Sequence, residues 1–282
     1  MKKILVPIDF SKTSINAMEV AFDIAKKDGA DIIVLHVVEE ATSDSYRISG
    51  EWKSQNWEDK IFTFRLLEKA KKQLEKFVME PRFNAVKIIG ELRLGNPFHG
   101  MNSIISAHKV DLIVMGTKGQ TKLQEMIIGT NTQKVVRHAR CPVLTVHTKP
   151  SSNSFKNIVY ATTMSKDEEV FSRIVKRTQQ IYNSTIHLLR INTPADFQRD
   201  REVKGYMDKF SKKLLLKNYT INVYNDTSPE EGIINFADSI NADMIAMATH
   251  GRTGLAHVMA GSVAENVVGH SGKPVLTLVV KH

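Results

Sequence analysis

The segment Val110-Asp111-Leu112-Ile113-Val114-Met115-Gly116-Thr117-Lys118-Gly119 is echoed 132 residues later by Ala242-Asp243-Met244-Ile245-Ala246-Met247-Ala248-Thr249-His250-Gly251. At the same offset Gly129-Thr130 matches Gly261-Ser262, and Cys141-Pro142-Val143-Leu144-Thr145-Val146 matches Lys273-Pro274-Val275-Leu276-Thr277-Leu278. Nearer the front, the run from Lys3 to Ser11 aligns with that from Asn157 to Ser165 at an offset of 154. The offset falls because the first copy is longer in the middle, mainly around Glu39–Lys60, which holds Trp52 and Trp57. Self-similarity on this scale makes the chain two copies of one unit, and 282 residues give each copy enough chain to bury a core. The copies divide as residues 1–148 and 155–282. Between them, 149–154 is a Pro/Ser stretch with the composition of a short linker.

Each copy alternates strands with helices. In the first, Ile4–Ile8 is a short apolar run that suits a strand buried on both faces. Ser14–Lys27 carries a helical stripe, Ile15, Met18, Phe22 and Ala25, ended by Gly29. Asp31–Val38 is a β-branched strand. Asp59–Val78 reads as a long amphipathic helix with Phe62, Leu66, Leu67, Leu74 and Phe77 near one face. Val86–Ile89 reads as strand, Phe98–Ala107 as helix, Leu112–Met115 as strand, Gln133–His138 as helix and Val143–Val146 as strand. The second copy repeats this with a shorter second helix around Arg201–Lys217. The fold class is therefore α/β: two tandem doubly wound parallel five-stranded sheets, helices on both faces, with right-handed crossovers.

The chemistry concentrates in Gly116-Thr117-Lys118-Gly119 and Ile128-Gly129-Thr130-Asn131-Thr132, a G-x2-G-x9-G-T pattern. Gly116 ends a strand, where a missing side chain lets a ligand approach the backbone, and Gly119 permits a positive φ in the following turn. Gly129 returns the chain to a helix start, where free N–H groups and the positive end of the helix dipole favour a phosphate. Hydroxyls at Thr130 and Thr132 can donate to phosphate oxygens, and Lys118 or Lys122 can add charge. The same residues also read as a plain helix start, since Thr130 with Gln133, like Ser262 with Glu265, has the spacing of a capping box. Asp9 ends the first strand. If the strand order is 3-2-1-4-5, Asp9 and Gly116 flank the crevice where the winding reverses, and a carboxylate there suits a ribose hydroxyl or a phosphate-bound divalent metal. Capping the first helix near Ser11 is its simpler role.

Taken together, Val-Pro-Ile-Asp-Phe-Ser at 6–11, Leu-His-Val at 35–37, the glycine loop and Cys-Pro-Val-Leu-Thr-Val at 141–146 resemble the universal stress protein family, over almost the whole chain and twice. The resemblance implies an ATP-binding stress-response member with strand order 3-2-1-4-5 and fifth strands that pair between domains. It implies that Asp9 holds the ribose or the Mg2+ or Mn2+ that accompanies the nucleotide, and that Val37 lines the adenine pocket. Pro7 and Met115 flank the site, while Gly116, Gly119, Gly129, Thr130, Asn131 and Thr132 wrap the phosphates. The second copy departs from the pattern: Ala248 replaces the first loop glycine, Thr163 stands for Asp9, and Arg190 falls where Val37 does. Its remnant site is Gly251, Gly261 and Ser262, and it is expected to bind ATP poorly and to act as a structural or regulatory partner in an intramolecular pseudo-dimer.

Other classes fit less well. No dinucleotide fingerprint, Walker-type phosphate loop or G-x-S-x-G elbow is present, so the chain reads as a binder and not an enzyme, with slow ATP hydrolysis left open. The ten histidines make no H-x-H or H-E-x-x-H pattern. The net charge of +9 divides as +5 and +4 between residues 1–148 and 149–282, with no basic tail, which argues against a nucleic-acid partner. No apolar run approaches a membrane span or a signal peptide, and the single Cys141, in an apolar context before proline, reads as a buried thiol in a reducing cytoplasm. With the fifth strands paired internally, the expected particle is a monomer able to form a homodimer through another surface, the 39–60 insertion being one candidate and a cover over the first pocket its other role. The rival reading is a regulatory or interaction protein that uses the same fold without a nucleotide.

Overall fold

The computed structural model of the chain describes residues 1–39, 57–117, 128–148, 155–250 and 260–280. In the first half the elements run β1 (Lys3–Pro7), α1 (Lys12–Asp28), β2 (Asp31–Val38), α2 (Trp57–Val78), β3 (Ile88–Leu94), α3 (Pro97–His108), β4 (Leu112–Gly116), α4 (Thr130–His138) and β5 (Val143–Val146). A short 3-10 turn at Pro81–Phe83 precedes β3. The second half repeats the series as β6 (Asn157–Ala161), α5 (Glu168–Tyr182), β7 (Thr185–Asn192), α6 (Asp200–Lys213), β8 (Tyr219–Asn225), α7 (Pro229–Ser239), β9 (Met244–His250), α8 (Ala260–His270) and β10 (Val275–Val280).

All ten strands form one sheet in the order β3-β2-β1-β4-β5-β10-β9-β6-β7-β8. Among the described residues each half has the order 3-2-1-4-5 with its strands parallel, and an antiparallel strand pairing joins β5 to β10, Leu144 opposite Leu276. Alternation along each strand feeds two cores. Ile4 and Val6 face α1 and α2, and Leu5 faces α3 and α4. Both cores run without a break into the second half, where Phe171, Val203 and Met207 continue the first and Ile233, Phe236 and Val267 the second.

The seam obeys a pseudo-two-fold axis. Thr145 Oγ1 donates to Val275 O (3.1 Å), and its repeat equivalent Thr277 Oγ1 donates to Val143 O (3.4 Å). Beside it, α1 and α5 exchange matching contacts: Tyr182 donates to Asp23 (2.8 Å), while Arg177 pairs with Asp28. Residues 177 and 182 lie 154 after 23 and 28, so the two contacts are one contact made twice, as in an isologous dimer.

The structure moves some predicted boundaries. β3 begins two residues later than Val86 and runs to Leu94, in register with Ile32–Val38, because an edge strand carries polar residues such as Glu91 and Arg93 that mask it in the sequence. In α2 the predicted apolar face is half realised: Leu74 and Phe77 are buried, but Phe62 and Leu66 are exposed. A helix of 22 residues is about 33 Å long and outruns the seven-residue β3 on which it packs.

Candidate functional site

The crossovers change faces between β1 and β4, which pair through Ile4–Leu112 and Leu5–Ile113. Beyond their carboxyl ends lies a cleft of about 620 Å³. Its lining includes Pro7, Asp9, Val37, Met115, Gly116, Gly129, Thr130, Asn131 and Thr132, so nine site residues named from the sequence meet in one hollow. Gly119, Lys118 and Lys122 lie outside the described residues. Ser14, Glu39 and Met101 also line it and were not singled out from the sequence.

Each wall has a local cause. The β1–α1 turn is held by Phe10 at φ 61°, by Ser11 N donating to Asp9 Oδ1 (3.0 Å), and by Ser14 N donating to the Ser11 hydroxyl (3.3 Å). Asp9 therefore does brace the helix start, and it does so while facing the cleft. His36 approaches Ile8 O at 2.7 Å through Nδ1. A carbonyl only accepts, so Nδ1 carries the proton and the neutral ring keeps Nε2 as an acceptor. The apolar end of the cleft is Leu35, Val37, Met101 and Met115. A side chain at Gly100 would come within 3.2 Å of Val37 Cγ2, which is how closely α3 lies on β2.

Gly116 has a different cause from the one its position suggests. A Cβ there would stand 2.9 Å from the Thr13 carbonyl carbon and 3.0 Å from Ser14 N, so the glycine admits the first turn of α1 and not a ligand. The phosphate-cradle geometry instead rests on α4. Its N-cap is Gly129, with extended backbone and no side-chain cap, so the amides of Thr130, Asn131 and Thr132 have no intrahelical acceptor. Gly129 N donates to Thr117 O (2.8 Å), and Thr132 Oγ1 donates to Gly116 O (2.9 Å). The Thr132 hydroxyl thus spends its one proton on the strand end, leaving its backbone N–H as its donor toward the cleft.

At the start of α4 no capping box forms. Gln133 Nε2 donates to Glu265 Oε2 (2.6 Å) across the seam, and Arg137 grips the same carboxylate through Nε (2.6 Å) and Nη2 (2.7 Å). Gln133 and Glu265 are repeat equivalents that meet on the pseudo-axis. This carboxylate raises the Arg137 pKa by hydrogen bonding, against a smaller opposing effect of burial.

The matching region of the second half is built otherwise. Pro7 pairs with Leu35 and Ala161 with Leu189, so by register Arg190 is the equivalent of His36 and Ile191 the equivalent of Val37. Arg190 therefore does not take the Val37 place; that place stays apolar, and Ile191 is pressed by Gly232 as Val37 is by Gly100. At the turn, the Glu168 carboxylate is buried and accepts from Tyr160 OH (3.0 Å), Thr162 Oγ1 (2.6 Å), Thr163 N (3.0 Å), Thr163 Oγ1 (2.9 Å) and Ser165 N (3.3 Å). Burial first, and this carboxylate second, push the Tyr160 phenol well up. Gly251 is outside the described residues, and Gly261 and Ser262 fall in the first turn of α8.

Cys141 is buried, and burial followed by the nearby Asp111 pushes its thiol up to about 12, the profile of an inert side chain. Among the described residues no group of three His, Cys, Asp or Glu could hold a metal by itself, and no helix is long and apolar enough to cross a membrane.

Comparison with known proteins is consistent across sequence and structure. The model of the universal stress protein family matches twice, over residues 1–147 and 154–279. Two universal stress proteins of Methanocaldococcus jannaschii are similar to one half of the chain. One is 33% identical over 51% of this chain and 81% of its own length; the other is 30% identical over 53% and 97%. A universal stress protein structure from Archaeoglobus fulgidus superposes over 98% of both chains, with a TM-score of 0.75 at 19% identity, and so shares the whole fold.

Proposed function

The chain belongs to the universal stress protein family, and we propose that it is a stress-response protein whose N-terminal half binds one ATP while its C-terminal half does not. The observation that carries this is the cleft at the β1–β4 reversal, whose lining combines apolar side chains, a carboxylate and an uncapped helix start. These suit a base, a ribose and a polyphosphate in turn. Val37, Leu35, Met101 and Met115 enclose the base, Asp9 takes the ribose hydroxyls or the metal side, and the α4 amides seat the phosphates.

A divalent ion fits only as part of the nucleotide. Asp9 and Glu39 are hard oxygen donors lining the cleft, the type that suits Mg2+ or Mn2+, but two carboxylates leave most of the coordination to phosphate oxygens and water. Binding and not turnover is the proposed activity, since the sequence carries no Walker-type phosphate loop, dinucleotide fingerprint or nucleophile elbow. A single inert thiol suits a reducing cytoplasm.

The test is direct. The purified protein is denatured and its supernatant examined by mass spectrometry for adenine nucleotide, and the nucleotide-free protein is titrated calorimetrically with ATP, with and without Mg2+ or Mn2+. One ATP per chain is expected. No released nucleotide and no heat with either ion would favour a regulatory protein without a nucleotide; two equal sites would remove the asymmetry.

A further inference from the structure

A second cleft, about 830 Å³, lies on the opposite face of the seam from α4 and α8. It opens between the α4–β5 corner of the first half, the first turns of α5 and the last residues of β10. Its floor is apolar, with Ile174, Val280 and the Cys141 side chain buried and Val170 57% exposed at the rim. Four cations line it, Arg140 from one half and Lys166, Arg173 and Arg177 from the other, against the carboxylates of Asp111, Asp167 and Glu169.

Asp111, Glu169 and Arg177 are held by partners outside this lining. Glu169 pairs with Lys213, and Arg177 with Asp28. Asp111 accepts from Lys2 N (2.5 Å) and Lys3 N (3.0 Å), a strand-end brace that its repeat equivalent Asp243 reproduces on Lys156 N and Asn157 N. Arg140, Lys166 and Arg173 enter no ion pair among the described residues. Nor are the two unpaired arginines a by-product of duplication. At the pseudo-equivalent positions Gly272 stands for Arg140, Glu19 for Arg173 and Asn16 for Val170, while Lys12 matches Lys166 and Lys273 stands for Cys141. Glu19 is itself tied to Arg82 at 2.9 Å. The two arginines and the apolar rim residue are thus particular to this groove of the pseudo-dimer.

We propose that this seam cleft is a binding site for a small molecule carrying two or more oxyanion groups on an apolar or aromatic body. Its volume matches a ligand and not a lone ion. Guanidinium groups at two edges favour carboxylate or phosphate in bidentate geometry, and the apolar floor favours a ring between them. Because the cations come from both halves, the ligand would bridge the domains.

The experiment uses the full chain without ATP at low ionic strength, with the first-cleft variant Gly129→Val titrated beside it. Trimesate (benzene-1,3,5-tricarboxylate) and pyrophosphate are the probes, with citrate as the non-aromatic tricarboxylate. Saturable calorimetric binding is expected for trimesate, tighter than citrate. Arg140→Glu with Arg173→Glu, or the milder pair Arg140→Gln with Arg173→Gln if the first does not fold, should weaken trimesate by about tenfold or more. Lys72→Glu with Lys76→Glu, exposed cations far away on α2, should change it by less than about twofold. Pyrophosphate outbinding trimesate would assign phosphate chemistry without the apolar body and overturn that part. No saturable binding, equal losses from both charge pairs, or loss of trimesate binding in Gly129→Val would overturn the site. None of these outcomes depends on whether ATP itself binds the first cleft.

Discussion

The β1–α1 and β6–α5 turns have the same backbone and opposite chemistry. Phe10 and Met164 hold φ of 61° and 62°, and Ile8 N and Thr162 N donate to Leu35 O and Leu189 O. Each turn also needs an oxygen for the serine amide that follows. In the first it comes from Asp9, at the strand end and facing the cleft; in the second it comes from Glu168, reaching back from the helix and 1% exposed. The exchange is a coordinated set: Val6 has become Tyr160, Ile8 Thr162, Asp9 Thr163 and Ser14 Glu168, and the new hydroxyls all donate to the new carboxylate. A carboxylate saturated by its own fold has no lone pair to offer a ribose or a metal, and its charge repels a phosphate. The second half has converted a ligand-facing turn into a self-satisfied one.

The widest separation between the halves should appear in affinity. Gly129→Val puts a branched side chain at the mouth of the α4 cradle and is expected to weaken ATP by about a hundredfold, on the order of 3 kcal/mol. Gly261→Val, on α8, should leave calorimetric affinity unchanged within about twofold. Equal losses would break the comparison. Next comes stability. Glu168→Gln sets an amide donor against a cluster of donors in a buried site and should cost about 2–4 kcal/mol in urea unfolding. Asp9→Asn keeps an acceptor for Ser11 N and should cost about 0.5–1 kcal/mol, while ATP affinity falls about tenfold. If Asp9→Asn proved the more damaging to stability, the account of the two turns would be inverted.

A smaller contrast concerns the strand-end position. Gly116→Ala forces its methyl against the backbone of Thr13 and should cost about 1–3 kcal/mol, with no requirement that ATP be present. Ala248→Gly should cost only about 0.5–1 kcal/mol, the ordinary effect of glycine in a strand. In the second half α5 starts at Glu168, the equivalent of Ser14, so the turn that presses on Gly116 has no helical counterpart against Ala248.

How much of this could be seen beforehand follows from where each signal lies. The repeat rests on local runs, and strands buried on both faces, such as Asp31–Val38 and Val143–Val146, have the bounds read from the sequence, whereas the strand order and the place of Val37 in the cleft follow from the family resemblance. The reason for Gly116 was hidden because the atoms it avoids are a hundred residues away in the chain. Glu168 sits in Asp167-Glu168-Glu169, which reads as ordinary acids at a helix start; only the fold brings it to Tyr160. Arg190 was set one place wrong because the alternation of β7 has no landmark, and only pairing with β6 fixes it. Ser14 and Met101 were passed over because each also serves its own helix, one in the cap and one in the core.

The least expected difference lies at the seam, where the duplicated contact uses different chemistry on its two sides. Tyr182→Phe removes the hydroxyl from Asp23, which keeps Lys27 at 2.7 Å, and should cost about 1 kcal/mol. Its pH dependence gives a sharper reading. Burial first, then Asp23, push the Tyr182 phenol up, so the native protein holds a proton that the unfolded chain releases. The contribution is intact below the unfolded tyrosine value, about 10, and declines as pH rises above it. Cys141, raised to about 12, starts a shallower decline from the unfolded thiol value of about 8.5, and the buried Tyr160 adds to the steeper part. Tyr182→Phe should therefore flatten urea midpoints measured above pH 10 without abolishing their slope. Arg177→Leu, which alters the twin contact, should leave the slope unchanged, because an arginine does not titrate in this range. Identical pH profiles for the two variants would mean that the twin contacts do not differ in the way their atoms imply.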